Sequence, residues 1–155
     1  MMNAVMKCAV LGLLILCSGC AEIRAQAFNK KQYKISEVCI QSNKKSLPYD
    51  FEYILKEGFL RHGIATKVYA DIPQDCEYRL LYVATTYKKH SSKSLRNVHL
   101  ALYKGDTLIG FADRDSPDGF LGKKVTDLSK WDSMRSIIDL LVDGLLGEDQ
   151  PMVVK

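Results

Sequence analysis

This 155-residue chain lacks the short motifs that carry recognisable chemistry. HExxH, a phosphate loop and a GxGxxG fingerprint are all missing, which removes zinc-protease, phosphate-loop and dinucleotide readings. No GxSxG elbow accompanies His90-Ser91-Ser92, so a base next to hydroxyls is not by itself a nucleophile pair. Asp113, Asp115 and Asp118 before Gly119 resemble a calcium loop only loosely. They miss the fifth-place acid and the bidentate Glu at the twelfth, and read as a polar turn. An excess of one charge is lacking too: 22 basic residues face 18 acidic ones. The doublets Lys30-Lys31, Lys44-Lys45, Lys88-Lys89 and Lys123-Lys124 are dispersed, so nucleic acid is not expected as a partner. There is no internal repeat. A long hydrophobic run is also missing, because the apolar stretch from Cys8 to Leu16 is too short to span a bilayer as a helix.

What the sequence does carry is an address. Residues Met1 to Lys7 form a basic n-region, Cys8 to Leu16 an apolar h-region, and Ser18-Gly19 the small residues a signal peptidase needs beside the scissile bond. Leu16-Cys17-Ser18-Gly19-Cys20 resembles the lipobox of bacterial lipoproteins, with Cys17 where that pattern usually has Leu. The resemblance implies cleavage after Gly19 and acylation of Cys20, a covalent lipid being the only non-protein group expected. Acyl methylenes contribute about 0.8 kcal/mol each on burial, so two or three chains anchor stably. In enteric-type bacteria Asp after the lipidated cysteine retains the protein at the inner membrane. Ala21 in that place implies the outer membrane, with the domain in the periplasm.

Processing also resolves the odd cysteine count. Cys8 and Cys17 leave with residues 1–19 and Cys20 takes lipid, so Cys39 and Cys76 remain as an even pair in an oxidising compartment. They form neither CxxC nor a Cys/His cluster, which leaves a metal site unsupported. A disulfide is the expected outcome, and two buried thiols are the alternative. The 136 residues left of 155 fit one domain with a single core.

Residues 20–34 are polar and aperiodic and read as the lipidated cysteine with its tether, up to about 50 Å long if extended. The domain is expected over 35–148, with a C-terminal tail at 149–155. Ile35 to Gln41 is a strand candidate, and Pro48 suits a helix entry. Phe51, Ile54, Leu55 and Phe59 share one face of a helix from about Tyr49 to His62, ended by Gly63. His62 reads as a residue of the terminal turn suited to the helix dipole. Ile64 to Ala70 is a second strand. Glu77 to Lys88 is apolar on both faces, which predicts a central strand buried on both sides. Leu95 to Lys104 and Thr107 to Asp113 form a hairpin across Gly105-Asp106. A long connection follows from Asp113 to Leu128. Ser129 to Asp132 resembles a capping box for a helix whose Trp131, Met134, Ile137, Ile138, Leu141, Val142 and Leu145 share one face, with Gly147 at its end.

This order predicts an α+β two-layer domain: a mostly antiparallel sheet of about five strands, with two amphipathic helices on one face. The other face would carry Tyr87, His99 and Tyr103, either as a candidate binding or dimer face or as scattered surface aromatics. The Lys88 to Lys93 turn reads as a solvated hairpin tip, with lipid headgroups as the alternative contact.

Val38-Cys39-Ile40-Gln41, Gly58-Phe59-Leu60-Arg61-His62-Gly63-Ile64 and Asp75-Cys76-Glu77-Tyr78, behind a lipobox, resemble a small family of uncharacterised proteobacterial lipoproteins. The resemblance implies paired roles for Cys39 and Cys76 and brings no activity. The expected function is a membrane-anchored binding or assembly accessory module, not an enzyme, with an envelope protein or a second copy as partner. The alternatives are a periplasmic hydrolase, or a peptidoglycan or small-molecule binder, using the 113–128 loop. A hydrolase would need His90 or His99 beside an acid and a nucleophile in a cleft. A small-molecule binder would need a deep apolar pocket.

Overall fold

The computed structural model describes residues 22–43, 47, 50–89, 92–115 and 130–147. Among the described residues, six strands and two helices follow one another. They are β1 (Glu22–Gln26), β2 (Glu37–Gln41), α1 (Phe51–Arg61), β3 (Ala65–Tyr69), β4 (Tyr78–Lys89), β5 (Ser92–Lys104), β6 (Thr107–Asp115) and α2 (Lys130–Leu146). One sheet takes the order β1-β6-β5-β4-β2-β3. Every neighbouring pair from β1 to β4 is antiparallel, whereas β2 runs parallel to both β3 and β4.

The α+β class and the mostly antiparallel sheet match expectation, but the sheet has six strands instead of five. The extra strand, β1, lies in the stretch expected to be a tether. Alternating polar and apolar side chains in EIRAQ are too few to announce a strand, and its register comes from a distant partner: Ala25 pairs with Ala112 and Arg24 with Asp113.

Local chemistry sets the rest. Gly105 turns β5 into β6 at φ +56°, a left-handed conformation that other residues enter at a cost. Gly63 at φ +72° ends α1, and Gly147 at φ +66° follows α2. Phe51, Ile54, Leu55 and Phe59 of α1 are buried, as are Met134, Ile138, Leu141, Val142 and Leu145 of α2. Both helices join one core with Val38, Ile40, Leu80, Tyr82, Leu100 and Leu102 of the sheet. Gly58 lets the helices approach closely, since a Cβ there would lie 3.2 Å from Val142 Cγ2. Arg61 spans the same seam to Asp139 and Asp143 at 3.0 and 3.1 Å, and His62 Nε2 lies 2.7 Å from Asp143 Oδ1. His62 therefore works as a helix-to-helix clamp at the end of α1, its side chain only 7% exposed.

The central place of β4 is as expected, but its burial on both sides is not. Leu80 and Tyr82 face the core, while Leu81 and Val83 are 41% and 56% exposed. An apolar residue at every position marks a strand without saying how many of its faces are covered.

Candidate interaction face

Strand alternation sends every second residue of the sheet away from the core. Register then assembles those residues into one open face. Arg79 lies opposite Tyr103, Leu81 opposite Ala101, Val83 opposite His99, and Thr85 opposite Asn97. On the next strand Phe111 lies opposite Ala101, Asp113 opposite His99 and Leu108 opposite Tyr103, with β1 placing Arg24 beside Asp113. The result is an apolar strip of Leu81, Val83, Ala101, Tyr103, Leu108 and Phe111, of which Leu81, Val83 and Leu108 are exposed.

Ion pairs border the strip. Arg24 bridges Asp113 at 3.1 Å and Asp115 at 2.9 Å, and His99 Nε2 lies 3.5 Å from Asp115 Oδ1. At the other end Arg79 reaches Asp106 at 3.0 Å and donates to the Gly105 carbonyl. Towards the β3 edge the face is closed by the Cys39–Cys76 disulfide, whose Cα atoms are 6.5 Å apart. Cys39 pairs with Arg79 across β2 and β4, so the bridge ties β2 to the turn before β4 on the open side. Next to it Lys67 and Glu37 pair at 2.9 Å. That hydrogen bond, with the Glu37 charge, holds the Lys67 ammonium above its ordinary pKa.

A polar hollow of about 330 Å³ opens beside the disulfide, lined by Lys34, Glu37, Lys67, Asp75 and Tyr69 among others. It is not the apolar pocket that a small-molecule reading required. On the core side, Tyr82 donates to Glu52 at 2.8 Å, Ser42 donates to the same oxygen at 2.6 Å, and the Asn43 N–H donates to the Tyr82 oxygen at 2.9 Å. Burial, the largest influence, pushes the Tyr82 phenol up from its ordinary value.

Of the residues singled out in the sequence, the structure brings His99 and Tyr103 together on this face, and register places Tyr87 along it next to Ser94. His99 has an acidic neighbour, but its register partners are Val83 and Asp113, neither a hydroxyl nor a thiol. Cys20, His90 and residues 116–129 lie outside the described residues, so the acylation site and most of the 113–128 loop do too. Asp113 and Asp115 belong to β6 and pair with Arg24. Among the described residues, no group of three or more His, Cys, Asp or Glu is arranged to hold a metal ion, and no helix is long and apolar enough to cross a membrane. Sequence reasoning missed Arg24, Leu81, Val83 and Leu108. Only the cross-strand register, which a single sequence does not display, brings them together.

The fold that presents this face is a known one. The chain is similar over 83% of its length to the whole of PelC from Paraburkholderia phytofirmans, at TM-score 0.55 and 13% identity. PelC was solved as a dodecamer, and a singly substituted variant of it, also a dodecamer, aligns equally well, at TM-score 0.55 and 12% identity. A minor lipoprotein from Acinetobacter baumannii aligns over 71% of this chain and 87% of its own at 16% identity, but its TM-score of 0.34 is too low to build on. No protein-family model matches the chain, and no curated protein matches it.

Proposed function

We propose that this chain is a lipoprotein held on the outer membrane by acyl chains on Cys20, and that its periplasmic domain is a non-enzymatic assembly module. Its partner is a second copy of itself, met through the open face of the sheet. The observation that carries this reading is the apolar strip that sets exposed Leu81, Val83 and Leu108 on one face of the sheet. The dodecameric state of PelC, which shares the fold, supports looking for self-association first.

Size sets the strength of the contact. Four strands about 4.8 Å apart and roughly 20 Å long give about 400 Å² in projection. That is about half of the ~800 Å² per partner of a standard interface. The contact is therefore weak in free solution and gains from confinement of both copies to one membrane, which raises their effective concentration.

Two measurements test this. Mass spectrometry of the membrane-extracted protein should find acyl chains on an N-terminal Cys20, and Cys20→Ala should release the protein from membranes. Chemical cross-linking in intact membranes should give multimers of this chain, which Val83→Glu abolishes. Monomers alone in both samples would contradict the assembly reading.

A further inference from the structure

The strand order fixes where an anchor at Cys20 would hold the domain. Glu22 opens β1 and pairs with Asp115 at the end of β6. Only Ala21 separates it from Cys20, so three residues of chain, at most about 10 Å, join Cys20 to Ile23. A long tether does not exist between them. Ile23, Arg114, Val98 and Ala84 form one row across β1, β6, β5 and β4. Beyond that row β6 has one residue left, but the β4–β5 hairpin continues to Lys89 and Ser92. At about 3.3 Å per residue, Lys88 and Lys89 stand about 13 and 17 Å past the row. The start of β1 and the end of the hairpin thus project from the same end of the sheet, three strands or about 14 Å apart.

Charge adds an independent observation. No acidic residue occurs anywhere from Tyr78 to Gly105, whereas Lys88, Lys89 and Lys93 gather at the projecting end, Lys88 directly opposite Lys93. Three cations on a protruding hairpin, at the same end of the sheet as the chain's exit toward its anchor, suit a surface of phosphate headgroups.

We infer that the basic end of the β4–β5 hairpin is a second membrane contact, binding anionic phospholipid through Lys88, Lys89 and Lys93. This rests on the lipid-anchor reading above and extends it. Two contacts stand the sheet on end, with the open face perpendicular to the membrane and accessible to a neighbouring copy anchored alongside. The opposite end, at Gly105-Asp106, points away from the membrane.

The test uses the acylated protein in vesicles of phosphatidylcholine with phosphatidylglycerol. Cys20 is blocked by lipid and Cys39–Cys76 is bonded, so Ser92→Cys or Asp106→Cys supplies the one free thiol for a fluorescent label. Energy transfer to headgroup acceptors should be strong from position 92 and weak from position 106, about 40 Å away along β4 and β5. Replacing phosphatidylglycerol, or substituting K88Q, K89Q and K93Q together, should bring the signal at position 92 down towards that at 106. Equal transfer from both positions, or a signal at 92 indifferent to lipid charge and to the substitutions, overturns the proposal.

Failure of the anchor reading is seen separately, as the absence of acyl mass on Cys20. In that event sedimentation of the same protein with phosphatidylglycerol vesicles still decides the hairpin's part. Each lysine is worth about fivefold, so the triple variant should bind on the order of a hundredfold more weakly, and unchanged binding overturns the proposal. If a melting curve shows the triple variant unfolded, K89Q alone, with its expected fivefold loss, replaces it.

Discussion

The two faces of this sheet are made by the same strands and differ only in which alternate residues each receives. On the core face Leu80, Leu100 and Leu102 are fully enclosed, with Tyr82 bound into a hydrogen-bonded cluster with Glu52, Ser42 and Asn43. On the open face Leu81, Val83 and Leu108 keep much of their surface in water and are framed by Arg24, Asp113, Asp115 and Arg79. Apolar content alone does not separate them, because Leu81 and Val83 are as apolar as Leu80. What separates them is the layer above. Residues of both helices share one core cluster with Leu80, whereas among the described residues the disulfide and short ion pairs close part of the other side. An enclosed face contributes stability, and a half-apolar open one is available for association.

Substitutions on the two faces should therefore differ in kind, and the largest effect belongs to the core. Leu100→Ala removes a fully buried side chain and should cost about 2–5 kcal/mol in a denaturation experiment, with the same loss whether or not membranes are present. A cost below about 1 kcal/mol would mean that the core face is not the packed one. Next comes the bridge that closes the edge of the open face. Cys39→Ala with Cys76→Ala, or reduction of the wild type, should lower stability by about 2–4 kcal/mol, since the bridge closes a separation of 37 residues.

Smaller again is the loss from Tyr82→Phe, about 1–2 kcal/mol, because Glu52 and the Asn43 N–H each lose a partner. That variant also sharpens the comparison through pH. The folded phenol ionises above its ordinary value of 10, so the folded state retains a proton that the unfolded chain gives up. The contribution is fully present below pH 10 and is lost as pH rises from there towards the folded pKa. Alkaline denaturation of the wild type should accordingly be steeper than that of Tyr82→Phe, and parallel curves would remove Tyr82 from the account. The smallest stability effect belongs to the open face: Leu81→Ser should change the unfolding free energy by no more than about 0.5 kcal/mol, while reducing cross-linked multimers.

How legible this was depends on the range of the interaction. Helix positions followed from local periodicity: the faces of Phe51 to Phe59 and of Met134 to Leu145 are buried as their spacing requires. Gly63, Gly105 and Gly147 all take the left-handed conformation that their places at element ends called for. Cys39 and Cys76 are bonded, as predicted by counting the cysteines that the expected leader cleavage and acylation would leave. Three things were not legible. β1 is five residues long and is recruited by β6, at a sequence separation of 91 for Arg24 and Asp115, so no local pattern announces it. Burial on one side of β4 depends on which layers cover the sheet, not on its own residues. The open face is a set of cross-strand neighbours, and bulges between Thr85 and Thr86 and between Leu102 and Tyr103 shift that register where sequence gives no sign. His99 and Tyr103 were picked out by residue type and Leu81 was not, although it is a more direct part of the apolar strip.

Photo-cross-linking from position 83 in intact membranes of cells producing the full chain tests the central claim most directly. With benzoylphenylalanine in place of Val83, a covalent adduct with a second copy of this chain is predicted. Benzoylphenylalanine at Tyr53, exposed on the outer side of α1, should give no such adduct. Equal self-adducts from both positions, or none from position 83, would contradict an assembly role for the open face.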